Sequence, residues 1–574
     1  MKGQGNNRRT QPARRGLFLL KKLTTFCAIS LLCLFLAPPA GAATVNATAD
    51  VNLNTLYQQI EGFGGAICYD MYNMATYSNK EAVYNWLFRD LGLDILRIKN
   101  EYITSPSDVN YTAQIVAAAK LRNPALKTLL VPWSPAANLK SDGTLGGLNS
   151  TLKKDANDSN NSAPYYVYNE YAKWWLNSLT DPCVGFNRQG VYPDYISIQN
   201  EPDWGTQDQV CRFTPTEGST YAGYDKAFQA VYNKLDGNVS PMPKMLAPEA
   251  ANLTDTPSFI DALNSRGQMG NIYGFSHHLY EVDFNNPDDA GQISRMQNFK
   301  TYYADYYHKP SFMTEYGGDG TPDFAMAMDL AQHIYNCLVY EGVTSYVHWS
   351  LIRGSYTTGG VINLASGGNY IVRDLYWFLK HYAFFTDPGW YRAKATTASS
   401  DLCITAFRNI YDTNMAIVIL NKSATNDVNL TLSLTGFVSS PTWLINEVYR
   451  SSSTEHWASL SQFYPSQPIL LPAQSITTIH LATFQFHTCA EVQAAGYYLP
   501  SDITGDCYVD YLDLKVIADN WLRQDCNESN DWCDWADLPW TSPDGKIDLF
   551  DFSTFAPLWM RCNNPEDPNC RSSW

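Results

Sequence analysis

Positive charge is scarce in this 574-residue chain, where 40 Lys and Arg stand against 56 Asp and Glu for a formal net charge of −16. Affinity for nucleic acid comes largely from Lys and Arg set against phosphates, so that class of partner is excluded. No glycine-rich phosphate fingerprint follows the first candidate strand, which argues against an open, doubly wound nucleotide-binding sheet. Beyond residue 43 no apolar run approaches the roughly 20 residues that span a bilayer, so no membrane association is expected of the mature chain. Cysteine is thin through the body of the chain. Cys68, Cys183, Cys211, Cys337 and Cys403 are scattered, whereas six more crowd the last 86 residues.

What is present begins with a leader. Arg8, Arg9, Arg14, Arg15, Lys21 and Lys22 precede the apolar run Phe26 to Leu36, and Ala40-Gly41-Ala42 follows as a small-residue cleavage site. Residues 1–43 therefore read as an export signal, and a secreted, extracellular protein is expected. Its loss removes Cys27, Cys33 and seven Lys/Arg, taking the net charge from −16 to −23. Export permits disulfides, most usefully in the small C-terminal unit. Eleven remaining cysteines is an odd number, and Cys183 and Cys211 form a candidate pair flanking one functional segment. The length calls for two or three domains, and 45% hydrophobic content for a folded chain.

From Ile60 to about residue 388, eight short apolar runs alternate with helix-period stretches. They start at Phe63, Ile95, Thr128, Tyr195, Met245, Gly274, Ser311 and Ser345. Eight strands buried on both faces, each followed by a helix, make a (β/α)8 barrel, an α/β fold whose active site gathers at the strands' carboxyl ends. The run ends carry Arg97, Trp133, Glu201, Glu249, His278, Tyr280, Glu315 and Trp349. After Trp390, runs alternating apolar with polar or small residues predict a side β-sandwich over 389–483, with residues 44–59 adding one N-terminal strand.

A linker is expected at 484–499, and residues 500–574 form a third unit with an internal repeat. Asp506, Val509, Asp510, Asp513 and Trp521 recur 38 residues later as Asp544, Ile547, Asp548, Asp551 and Trp559. Asp502, Thr504, Asp506, Asp510 and Asp513 stand at positions 1, 3, 5, 9 and 12 of a calcium loop, with a helix after it. In the second copy position 1 is Trp540, so Asp537 must reach in beside Asp544, Asp548 and Asp551. Cys507 takes the place of the usual glycine in the first copy, and Gly545 keeps it in the second.

The segments Ile198-Gln199-Asn200-Glu201-Pro202 and Met313-Thr314-Glu315-Tyr316-Gly317 each end a strand on a glutamate. Glycoside cleavage needs one carboxyl group to protonate the departing oxygen and a second to meet the developing oxocarbenium charge. Glu201, with Trp204 close by in an apolar pocket, is expected to be the acid, and Glu315 to stay ionised beside Tyr280 and Arg97. Asn200 is placed to grip a sugar hydroxyl, and Trp133 and Trp349 offer flat faces to sugar rings.

Over residues 50–483 the chain resembles glycoside hydrolase family 30. The resemblance rests on Gln59-Ile60-Glu61-Gly62-Phe63-Gly64-Gly65, Val131-Pro132-Trp133-Ser134-Pro135, Ala247-Pro248-Glu249, His278-Leu279-Tyr280 and Leu471-Pro472-Ala473-Gln474. It implies a retaining barrel enzyme with Glu201 as acid/base and Glu315 as nucleophile. His278, Arg353 and Tyr356 join Arg97, Trp133, Asn200, Tyr280 and Trp349 as expected substrate contacts, and no cofactor is expected for catalysis. The motifs look most like the xylan-cleaving branch, hence an endo-β-1,4-xylanase acting on glucuronoxylan or related cell-wall xylan. The family's uronate-binding members carry paired arginines on the eighth strand, whereas this chain reads Arg353-Gly354, which favours a xylanase indifferent to side chains. Alternatives from the same family are a β-1,6-glucanase or a glucosylceramidase-like β-glucosidase; from another class, a non-catalytic carbohydrate-binding protein. Residues 500–560 resemble a type I dockerin, implying bound Ca2+ and a cohesin partner on a scaffold or cell surface.

Overall fold

The computed structural model describes residues 43–570 apart from 103–105, 156–164, 207–208, 319–322, 355–358, 410–413, 437–444, 466, 483–487, 495–498, 500, 539–542, 565–566 and 568–569. The leader thus lies almost wholly outside the described residues, as do Tyr356 and Trp540. Among the described residues no helix is long and apolar enough to cross a membrane.

Eight strands close into a parallel barrel in chain order: Gly62–Ile67, Ile95–Lys99, Lys127–Val131, Tyr195–Ser197, Lys244–Ala250, Gly274–His278, Ser311–Tyr316 and Ser345–His348. The last pairs with the first through Ser345 opposite Gly62. Period-two alternation explains the continuous apolar texture of these strands, because both faces are covered. Ile95, Leu129, Val131, Tyr195, Leu246, Phe312 and Val347 fill the lumen. Leu96, Ile98, Leu130, Ile196 and Met313 face outward into the layer of surrounding helices, among them Tyr168–Thr180, Tyr224–Leu235 and Asp323–Asn336. The lumen-facing parity of Ile95 continues to Arg97, so a guanidinium enters the barrel mouth on a strand that is otherwise core.

The side sandwich is hydrogen-bonded as one nine-stranded sheet. Its N-terminal strand, Ala43–Gln59, lies antiparallel to Tyr391–Thr397 and parallel to Asn426–Thr435, so the two ends of the barrel chain are zipped together. Val51, Leu53, Ile404, Ile417, Val428, Leu430 and Ile479 make its separate core.

The C-terminal unit starts earlier than the sequence suggests. A helix, Cys489–Ala494, occupies part of the expected linker, Cys489 is disulfide-bonded to Cys507, and Leu499 packs into the unit's core with Val509, Ile517, Ile547 and Phe555. Two further disulfides, Cys526–Cys533 and Cys562–Cys570, staple a unit with few buried apolar side chains. Among the described residues the five cysteines outside it are free, including the expected pair Cys183, which is exposed, and Cys211, which is buried.

Candidate active site

At the carboxyl end of the barrel, two local distortions aim the acidic side chains. On the seventh strand His277 pairs with Met313 but His278 with Glu315, leaving Thr314 as an extra residue. On the fifth, Pro248 pairs with Ser276 and Ala250 with His277, leaving Glu249 extra. Such bulges re-aim a side chain that strict alternation would send elsewhere. Glu201 and Glu249 also hold left-handed backbone conformations, with φ of 45° and 67°. Non-glycine residues rarely adopt these, and at this mouth the strain positions carboxylates. Beyond Glu315, Gly317 is required by close approach, since a Cβ there would stand 1.8 Å from the Trp349 carbonyl oxygen.

Arg97 is the hub. Its fully buried guanidinium donates from Nη1 to Glu315 Oε2 at 2.5 Å, and from Nη2 to Asn200 Oδ1 at 2.6 Å. Nε and Nη2 both reach Glu249 Oε1, at 3.1 and 2.8 Å. Tyr280 donates its hydroxyl to Glu315 Oε1 at 3.0 Å, and His278 Nδ1 lies 3.0 Å from Glu201 Oε1. Glu201, His278 and Glu315 bring one ligand-type atom each within 4.8 Å of one another, so the two catalytic candidates face each other directly. The Asn200 side-chain amide nitrogen is buried with no partner among the described residues, free to donate to a ligand.

The charges are mutually set. Burial alone would depress His278, but the Glu315 charge and the contacts with Glu201 and Glu249 outweigh it and lift the imidazole to about 9. Burial alone would raise Glu249, yet the Arg97 charge and the His278 contact hold it down at about 2. Burial pushes the Glu315 carboxyl above its ordinary value, with Arg97 and His278 opposing and Glu201 adding to the rise. Three carboxyl groups therefore face two cations. One proton on the carboxyl set neutralises the cluster, and one proton is what a general acid must deliver.

An aromatic wall stands beside the pair. Trp133 and Trp349 lie 5.9 Å apart between ring centroids, with the Arg97 guanidinium carbon 4.8 Å from the Trp133 ring. Tyr69 closes the group edge-on to both, at 5.4 and 6.0 Å. Buried Lys99 sits 4.1 Å from the Tyr69 ring and 2.6 Å from Glu101. Arg353 lies 5.3 Å from the Trp349 ring and lines the same small recess as Cys68, Tyr69 and Asp70.

The structure brings Arg97, Trp133, Asn200, Glu201, His278, Tyr280, Glu315, Trp349 and Arg353 to one mouth. Trp204 does not form the expected pocket, because the residue is 45% exposed and His278, not an indole, is the group against Glu201. Glu249, Tyr69 and Lys99 complete the site without having been assigned a role in the sequence. Glu249 had a signal, standing at a strand end after Ala247-Pro248, but nothing local shows that it faces Arg97.

No family model matches the chain. It is 25% identical over 479 residues to the glucuronoxylanase XynC of Bacillus subtilis (strain 168), covering 79% of this chain and 97% of that one. The site is that of a glycoside hydrolase. The hydrolase also shares its fold with a family 30 endoxylanase of Clostridium papyrosolvens C71, at a TM-score of 0.56 and 22% identity over 76% of this chain and all of that one. The endo-β-1,6-glucanase BT3312 is as similar in shape, with a TM-score of 0.57 at 17% identity over 77% of this chain and 96% of that one. Shape alone does not select the sugar.

In the C-terminal unit, Asp502, Asp506 and Asp513 bring carboxylate oxygens within 4.8 Å of one another. Thr504 donates to Asp513 at 3.1 Å through its hydroxyl and at 2.9 Å through its backbone N–H. Asp510 and Asp548 are helix caps, each accepting a backbone N–H two residues on at 2.7 Å and donating its own backbone N–H to Asp513 or Asp551 at 2.8 and 2.7 Å. In the second copy Asp537 accepts from Asp544 and Gly545 backbone N–H groups at 3.0 and 2.7 Å, as Asp502 does from Gly505, Asp506 and Cys507. Asp551 accepts from Leu538 at 2.6 Å.

Proposed function

We propose that the protein is a secreted, retaining endo-β-1,4-xylanase working by double displacement. The observation that carries this is that Glu201 and Glu315 each bring a carboxylate oxygen within 4.8 Å of the other's. Inverting enzymes need about 6.5–9.5 Å between carboxyl groups to admit a water, whereas direct attack on the anomeric carbon needs about 5–5.5 Å. Glu315, paired with Arg97 and Tyr280, attacks the anomeric carbon while Glu201 passes a proton to the departing glycosidic oxygen. A covalent glycosyl–enzyme ester results. Glu201, now a carboxylate, takes a proton from water as that water displaces Glu315, and the anomeric configuration is retained. The Asn200 amide donates to the hydroxyl beside the reacting carbon, and Trp133 and Trp349 carry the rings.

Xylan as the substrate class rests on the B. subtilis relative, a glucuronoxylanase. Independence of uronate side chains rests on the recess beside Trp349. There Arg353 shares its wall with Asp70, whose charge opposes a carboxylate, and a side chain at Gly354 would meet nothing within 4 Å. Linear and glucuronic-acid-bearing xylans are therefore expected to be cleaved at comparable rates, with products unregistered to the uronate. Gly354→Arg, adding one charge-assisted contact, should raise preference for the uronate-bearing polymer roughly ten- to hundredfold. Chromatography of products from glucuronoxylan, linear xylooligosaccharides and β-1,6-glucan decides the matter. Cleavage confined to uronate-bearing xylan, or to β-1,6-glucan, would sink this reading.

The C-terminal unit is proposed to be a calcium-organised, dockerin-like module that docks a cohesin on a scaffold or cell surface. Burial and the nearby charges of Asp513 and Asp506 push Asp502 up to about 6, a crowding that a hard cation relieves. Asp502, Asp506 and Asp513 would hold the ion, which supplies a cross-link between loop and helix. Docking is supported by exposed apolar pairs repeated 38 residues apart in the first turns of Tyr511–Asp519 and Leu549–Phe555: Tyr511 and Leu512, then Leu549 and Phe550. Calcium titrated into the chelator-treated full chain should bind with a heat signal and raise the unit's helical circular dichroism, leaving hydrolysis unchanged. A unit indifferent to both calcium and chelator would refute the assignment.

A further inference from the structure

The Glu249 carboxylate touches neither of the carboxyl groups assigned to proton transfer and nucleophilic attack, yet it contacts what stands behind each. Its Oε1 receives Arg97 Nε and Nη2, and lies 3.7 Å from His278 Nε2. Its backbone carbonyl accepts the Glu201 N–H at 3.0 Å. Arg97 and His278 in turn meet Glu315 and Glu201 directly. The carboxylate is fully buried, with φ of 67° and a bulge dedicated to its placement. A buried acid in that conformation is costly unless the surroundings over-determine it.

We infer that Glu249 is a positioning residue that sets the protonation of the catalytic pair, holding Arg97 against Glu315 and His278 against Glu201 with one shared oxygen. The groups facing it are Arg97, His278, the Tyr224 phenol and Ser197, with Glu201 and Glu315 one contact further on. Its negative charge opposes ionisation of Glu315 and favours protonation of His278. Removing that charge therefore makes Glu315 easier to ionise and the imidazole easier to deprotonate. This rests on Glu315 being the nucleophile, whose ionisation governs the acidic limb of kcat/KM.

The test is the pH profile of kcat/KM on an aryl β-xyloside for the full-length wild type, Glu249→Gln and Glu249→Asp. Glu249→Gln should lower kcat at least tenfold and move the acidic limb to lower pH by about one unit, with KM little changed. A loss of kcat with an unmoved acidic limb would mean that Glu249 only fills space, and would overturn the inference. If Glu249→Gln does not fold, Glu249→Asp still decides, because it withdraws the charge from Arg97 and His278 and should shift the limb the same way by less. An unmoved limb there overturns the inference equally. Failure of the nucleophile assignment itself shows separately, as a Glu315→Ala variant that still turns over.

Discussion

Replacing Glu315 by alanine is expected to cut hydrolysis by roughly 10⁴-fold or more, since the carboxylate proposed to attack the anomeric carbon is gone. The fold should survive. Arg97 keeps Glu249 as its counter-charge and Asn200 as an acceptor, so no buried cation is left alone. The cavity left on the nucleophile's side is lined by Arg97 and the Tyr280 hydroxyl, which favours a small anion. Azide should enter it and displace the phenolate of an aryl β-glycoside while Glu201 stands on the opposite side. The product is then the α-glycosyl azide, distinguishable by NMR from the β-anomer. Two results would remove Glu315 from its role: turnover unaffected by the substitution, or an azide adduct of β configuration.

The second large effect is expected at Arg97, on stability as well as on rate. Arg97→Met fits the space but leaves Glu249 and Glu315 buried without their shared cation. Breaking a buried ion pair by deleting one partner costs about 3–5 kcal/mol. His278, whose contacts with this cluster already lift it to about 9, would be left as the single cation among three carboxyl groups. Unfolding of the barrel should shift by that amount in denaturant titration, and kcat should fall because Glu315 loses its cation and keeps only the Tyr280 hydroxyl of its two named partners. Arg97→Lys should recover only part of either loss, because one ammonium cannot span Glu249, Glu315 and Asn200 as the guanidinium fork does. A methionine variant of undiminished stability would show that the pairings are incidental.

Several of these features are legible in the order of the residues. The eight runs announce themselves because strands covered on both faces must be apolar at nearly every position. The repeat at 38 residues is a property of spacing alone. Tyr280 beside Glu315 and Arg97 within the same mouth follow from strand ends sharing one face of a barrel. The role of Trp204 is a different case. Closeness in sequence to Glu201 suggested an apolar pocket, but the chain turns outward after the strand, and a histidine from a strand two places along the barrel fills that position.

By itself, then, the sequence determined the barrel, the two glutamates at its strand ends, the N-terminal strand joining the side sheet and the paired acidic loops. Each is encoded in local periodicity or in breakers next to a charged residue. Only the tertiary structure decided how the carboxylates are aimed and charged. Glu315 and Glu249 face the mouth through bulges defined by the register of neighbouring strands, and register is a relation between segments far apart in the chain. The protonation of the site is likewise a sum over Arg97, His278 and three acids drawn from five strands, and no stretch of sequence contains that sum.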